Sequence, residues 1–247
     1  MKCQTIQDVI TRLNAIIDEC KLRQDARGYF AVLYRKVTMR VQRGIANNEF
    51  DNNALMEKLD VLFANRYLEA YDHYALLKPI SSSWQISFDA CKNPKPIVLQ
   101  HILTGINAHI NLDLGLAAVE TIGQGDLKDL QKSFNQINQI LADMIDDVKA
   151  DLGRIFPVFK WLMPLADKLD EKLVKFSIFR ARDGAWLFAQ LLKSNTQAQP
   201  LIQEQDKLIS NLGSSILNPG KRLSVLLYSI RTLEGRTVSQ KIALLEK

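Results

Sequence analysis

The chain has 247 residues, of which 47% are hydrophobic and 24% charged, with a formal net charge of +5. That balance suits a globular protein with a sizeable core rather than a disordered or membrane one. Lys and Arg (32) are spread among 27 acids without a basic run or a recognisable nucleic-acid motif, so no nucleic-acid partner is expected. Cys3, Cys20 and Cys91 are odd in number and lack CxxC spacing, which points to reduced thiols. No contiguous apolar run approaches the roughly 20 residues of a bilayer span, and no signal-like apolar core follows Met1. The expectation is a cytoplasmic protein without a membrane span.

Apolar residues recur at three and four nearly everywhere, and the 11 Gly and 7 Pro are scarce. This spacing predicts an all-α fold, a single-domain multi-helix bundle over 1–247 with eight to ten helices. In chain order they are expected at 4–20, 26–46, 52–77, 84–91, 95–121, 126–153, 157–168, 170–194, 197–216 and 221–245. Clusters such as "NNEFDNN" (47–53), "KPISSS" (78–83), "KNPKP" (92–96) and "NPGKR" (218–222) mark the loops between them.

In 52–77, Asp60 shares a face with Phe63, Ala64, Tyr67 and Tyr71, while His73 turns to the polar side. Trp84 and Phe88, four apart after "SSS", read as a hydrophobic anchor over the core or over a pocket mouth. The helix 95–121 carries "GINAHINLDL" (105–114) and is expected to be buried on most sides. At about 100° per residue, His101, Gly105, His109 and Asp113 form a shallow stripe, with Thr104, Asn107 and Asn111 on another face. Gly105 costs roughly 1 kcal/mol relative to alanine in a helix interior, so something is expected to use the space it leaves.

The 126–153 segment keeps one apolar stripe from Leu127 to Leu152, with Asp126 as its expected N-cap. In 170–194, "LVKFSIFRARDGAWLFAQLL" is apolar at nearly every angle and reads as a second central helix. Arg182 lies on its apolar face and needs an acidic partner, for which Asp60 and Asp113 are the candidates.

Three readings of these polar residues stay open. His101, His109 and Asp113 suit a divalent metal such as Zn, Fe or Mn, because an imidazole and a carboxylate four apart on a helix reach one ion. Alternatively His109 is a base oriented by Asp113, with Asp60 and Arg182 in the same charged network. In the third reading the cluster only fixes the fold. An enzyme of this kind, hydrolase-like, is expected to act on a small apolar or lipid-like molecule in an inter-helix pocket, with Asn107, Trp84 and Trp186 contacting it. The alternative is a non-catalytic ligand-binding or interaction protein. There is no GxSxG elbow, no phosphate-cradling glycine loop, no dinucleotide fingerprint and no paired-cysteine zinc site.

Four stretches carry a resemblance: "LDVLFANRYLEAY" (59–71), "SSSWQISF" (81–88), "QHILTGINAHINLDL" (100–114) and "RARDGAW" (180–186). Together they resemble a family of bacterial helical proteins grouped as a domain of unknown function, from about residue 26 to 190. The resemblance implies no established activity. It points to Asp60, His101, Asn107, His109, Asp113, Arg182 and Asp183, and the tyrosine-rich "YDHY" around His73 departs from it.

Overall fold

The computed structural model describes residues 2–137, 153–155 and 178–247, and among them the regular elements are all helical. They are α1 (Ile6–Arg23), α2 (Arg27–Ala46), α3 (Asn53–Ala75), α4 (Ser82–Ala90), α5 (Val98–Ala108), a π turn (His109–Asp113) and α6 (Leu114–Ile122). Then come α7 (128–137), α8 (Ile178–Ser194), α9 (Ala198–Leu217), α10 (Lys221–Leu233) and α11 (Val238–Leu245). The helix expected at 157–168, and the positions of the 126–153 stripe from Leu141 to Leu152, lie outside the described residues. Where 126–153 is described, Asp126 Oδ1 accepts from Lys128 N–H at 3.0 Å, so the carboxylate satisfies one of the orphan donors of the first turn.

Capping chemistry sets most of the other starts. Thr5 and Asp8 form a reciprocal box at α1, and Asn52 and Ser81 accept from Leu55 N–H and Trp84 N–H at α3 and α4. The α4 end has a second, long-range cap. Asp206 on α9 accepts from Ser82 N–H at 2.7 Å and Ser83 N–H at 2.9 Å, which fixes the helix carrying Trp84 against α9.

α5, the π turn and α6 run on as one rod, Val98–Ile122, around which α2, α3, α4, α8 and α9 pack. By length and apolar composition this rod is the one described helix that passes for a membrane span, and 72% of its apolar window is buried by the other helices. Glycine permits the closest approaches. A Cβ on Gly115 would lie 2.7 Å from the Phe188 ring and 2.9 Å from the Ala185 carbonyl, so α6 and α8 meet nearly backbone to backbone. One hydrophobic cluster links side chains from Ile6 to Leu245.

Two expected helices are corrected. α8 is not buried all round: Leu187 and Leu191 are 61% and 57% exposed, and Asp183 and Gln190 share that side. Its apolar residues at nearly every angle do not all find partners, because only one face meets the rod. The stretch 221–245 is two helices rather than one. Gly235 takes φ +42° and Thr237 opens α11 by a capping box with Gln240, so the break is set locally.

The break also places Glu234, which is buried although it ends α10. Its Oε1 accepts from Val98 N–H at 3.0 Å, serving the start of α5, where Ile97 has no side-chain oxygen to offer. Its Oε2 accepts from Lys241 Nζ at 2.8 Å, with both side chains about 5% exposed or less. Removing one partner of such a pair leaves an uncompensated charge in the core. Lys241→Met is therefore expected to destabilise by about 3 kcal/mol, and Glu234→Gln with Lys241→Met together to recover part of it, both read from denaturant unfolding.

Candidate functional site

The site is built on the π turn. In this turn Leu114 N–H reaches back five residues to His109 C=O, so one extra residue is accommodated and everything beyond it is rotated relative to an unbroken α-helix. Within the turn, the Asn111 carbonyl accepts from Gln205 Nε2 on α9 at 3.1 Å. Asn111 Nδ2 in turn donates to Asn107 Oδ1 at 2.9 Å, and Asn107 Nδ2 donates to Ile209 C=O on α9 at 2.9 Å. Asn107 is thus a tie between helices, spent on backbone and amide partners, and not a free group for a ligand.

His109 and Asp113 face each other. Nδ1 of His109 lies 3.1 Å from Asp113 Oδ2, which also accepts from Trp84 Nε1–H at 2.9 Å. Since that oxygen is an acceptor for the indole, the imidazole Nδ1 carries the proton and donates, which leaves the Nε2 lone pair free. Burial pushes the His109 pKa below its ordinary value, against an upward pull from Asp113. At neutral pH the ring is neutral. Its Nε2 has no hydrogen-bond partner among the described residues, and the residue is 2% exposed.

Aromatic rings enclose the imidazole. Phe63 stacks on it at 3.6 Å between centroids and 5° between planes, and Tyr34 stands edge-on at 4.5 Å. Phe30, Trp84 and Tyr67 complete the box at 5.8, 5.9 and 6.1 Å. Of these rings Phe63 is the partly buried one.

Three further buried polar atoms share this neighbourhood without partners: Tyr34 Oη, Tyr67 Oη and Asp60 Oδ2. Tyr34 sits between the acids, since burial raises its pKa first and the charges of Asp60 and Asp113 raise it next. Asp60 itself is pushed up to about 7, by burial and then by Glu57, so near neutral pH it is partly protonated. Natural interiors hold few such orphans, and here three of them accompany the unpartnered Nε2 of one histidine.

Other expected members are elsewhere. Phe30 fills the space left by Gly105, where a Cβ would come within 2.6 Å of its ring, so the gap is occupied by a side chain and does not join His101 to His109. His101 instead lies against Tyr29, with Nδ1 3.7 Å from Cys91 Sγ, and burial with the charges of Lys241 and Arg231 holds it down to about 4. Among the described residues no group of three or more His, Cys, Asp and Glu comes together as a metal cluster. The trio His101, His109 and Asp113 is therefore not assembled, and Asp113 Oδ2 already accepts two bonds.

Arg182 is buried as expected, but no carboxylate among the described residues pairs with it. Its Nη2 donates to Phe134 C=O at 3.0 Å, its guanidinium lies 4.4 Å from the Phe134 ring centroid, and burial lowers its pKa to about 9. The network of Arg182 with Asp60 or Asp113 is corrected accordingly. Cation–π attraction and one carbonyl replace the ion pair, and the Nε stays without a partner. Trp186 packs on the same Phe134 ring at 4.8 Å, so it belongs to this contact and not to the box around His109. His73 lies half-buried on α3, 3.9 Å from Glu69.

With the geometry in place, the comparison with known families carries weight. A family of unknown function (DUF5995) matches residues 6–219. The chain belongs to this family. The match covers the rod, the box around His109 and α9, and stops before α10 and α11. No curated protein and no solved structure matches the chain.

Sequence reasoning missed Tyr34 and Phe30 as members of the site. Phe63 and Tyr67 were legible only as neighbours of Asp60 on α3. The one signal that pointed across helices was Gly105, whose missing side chain is the complement of Phe30.

Asp60 provides a pH test of this environment. Its pKa is raised in the fold, so its contribution to stability is fully present below the unfolded value of about 4 and is lost as pH rises through about 7. The neutral isostere Asp60→Asn avoids the cost of the buried charge. It is expected to be more stable than the parent at pH 8, on the order of 4 kcal/mol, with the gain shrinking as pH falls and vanishing only near pH 4. Thermal melts at the two pH values check this, and an equal effect at both would place Asp60 in water.

Proposed function

We propose that the chain binds a small, largely apolar molecule against His109 and acts on it by acid–base chemistry of the hydrolase type. His109 Nε2 is the base, Asp113 holds the imidazole in its tautomer, and Asp60 is the nearby acid. The observation that carries the reading is the free Nε2 of a neutral, fully enclosed imidazole whose other nitrogen is fixed by a carboxylate. A base held below its ordinary pKa and an acid held above its own are the two protonation states that general acid–base catalysis needs at one pH. The aromatic wall suits an apolar body, and the Tyr34 and Tyr67 hydroxyls offer donors for one polar group. Phe63 is the ring that must swing aside to admit it.

A second reading, binding without turnover, is favoured by the stacking of Phe63 on the imidazole, which keeps water away from Nε2. Hydrolysis of p-nitrophenyl butyrate by the full chain separates the two. The catalytic reading expects His109→Gln to lower kcat/KM by about 100-fold, the ordinary scale of general-base catalysis, and His73→Gln to leave it unchanged. The profile should be bell-shaped, with the acid limb below pH 6.5 from His109 and the alkaline limb near 7 from Asp60. A parent chain no faster than His109→Gln on esters from acetate to octanoate overturns the catalytic reading.

A further inference from the structure

A second concavity lies away from His109. It is an open cleft of about 810 Å³ between the loop before α5, the end of α9, α10 and the turn that follows α10. Lys95, Arg231 and Arg236 line it, and no Asp or Glu does. Nor does any described carboxylate pair with these three cations, although the chain forms ion pairs freely elsewhere.

The two arginines are pinned along one edge. Arg231 donates from Nε to Pro94 C=O at 2.6 Å, and Arg236 donates from Nη1 to Arg154 C=O at 2.8 Å and Ile155 C=O at 3.3 Å. Carbonyls orient a guanidinium without neutralising it. Both Nη groups of Arg231, and Nε and Nη2 of Arg236, are left with no acceptor among the described residues. Fixed forks with spare N–H groups are the geometry that takes a carboxylate or phosphate through two parallel bonds. The rest of the lining offers apolar cover from Pro94, Leu217 and Leu227, the Tyr228 ring, and hydroxyls from Ser224 and Thr232.

We propose that this cleft binds a small soluble anion, a carboxylate or phosphate monoester joined to an apolar body. Its volume is that of a pocket for one small molecule. The field of three unpaired cations, with no acid in the wall, selects against neutral and cationic ligands. The site is independent of the His109 chemistry. Half of its wall comes from α10 and the turn after it, beyond the family match, so its specificity belongs to this chain's C-terminal helices and not to the matched region alone.

Isothermal titration of the full chain with dodecyl phosphate, below its micelle concentration, tests the proposal. The expected result is saturable binding of one molecule, weakening as salt rises, with dodecyltrimethylammonium failing to bind. Lys95→Gln with Arg231→Gln should weaken the anion at least about tenfold. Lys95→Gln alone, at an exposed position with no described side-chain partner, should weaken it about threefold without altering the melt. His109→Gln should bind as the parent does, so that failure of the hydrolase reading does not decide this one. Equal binding of the two probes, or unchanged affinity in the charge variants, overturns the proposal. So does sedimentation with phosphatidylglycerol vesicles in the absence of binding to monomeric dodecyl phosphate, which would assign the cations to a lipid surface.

Discussion

The structure depends on keeping one histidine and one carboxylate satisfied in the middle of an aromatic core. Asp113 Oδ2 accepts both the imidazole N–H of His109 and the indole N–H of Trp84, and without those two bonds its burial would cost several kcal/mol. Each donor imposes a requirement on the chain around it. Trp84 must be held over the rod, which fixes the position of α4, and the carboxylate of Asp206 caps that helix from α9. His109 and Asp113 stand on the two ends of a π turn, and the Asn111 carbonyl inside it accepts from Gln205, again from α9. α9 therefore supports the pair twice, once through a helix cap and once through a backbone carbonyl, while making no described hydrogen bond to either residue. The tie of Asn107 to Ile209 adds a third link along the same helix.

The polar accounting around this pair is incomplete in one direction only. The Nδ1 side of the imidazole is closed by Asp113, whereas Nε2, the two tyrosine hydroxyls and Asp60 Oδ2 have no partners among the described residues. An interior built solely for stability would either complete such a set or replace it with apolar side chains of similar shape. Asp60 is the most costly member, since nothing described offsets its burial and its pKa is driven up to about 7. Unmet hydrogen bonds of this kind are few in natural interiors, so their grouping here sets this region apart from the rest of the core. The π turn at the same place fits that pattern, because such turns are retained chiefly where a helix must re-aim a side chain.

The rod is held at its two ends by different chemistry. At its start, Glu234 supplies the helix cap that Ile97 lacks and is itself neutralised by Lys241, so α10 and α11 close over the N-terminal end through a buried ion pair. In α6, the approach of α8 at Gly115 is a backbone contact with no polar content. The two ends thus respond to different perturbations, loss of a charge at one and side-chain volume at the other. The cationic cleft lies at the charged end, against α10, which Glu234 closes.

What the sequence determined by itself is whatever a single helix decides. Periodicity set the all-α class, Asp126 and the loop residues marked where helices begin and stop, four-residue spacing put His109 beside Asp113, and seven-residue spacing put Asp60 on one helix face with Tyr67. These features depend on local geometry and on contacts within one turn, which a wheel represents. Only the tertiary structure decided which faces meet. The wheel carried His101 into the site because it treats Gly105 as empty, whereas Phe30 from α2 fills that space. It gave Arg182 an acid because charge asks for charge, whereas α7 offers a carbonyl and a ring. It also assumed one phase along the rod, which the π turn breaks. Tyr34 and Phe63 reach the imidazole from helices far away in sequence, and no spacing within one helix records a neighbour that arrives from another.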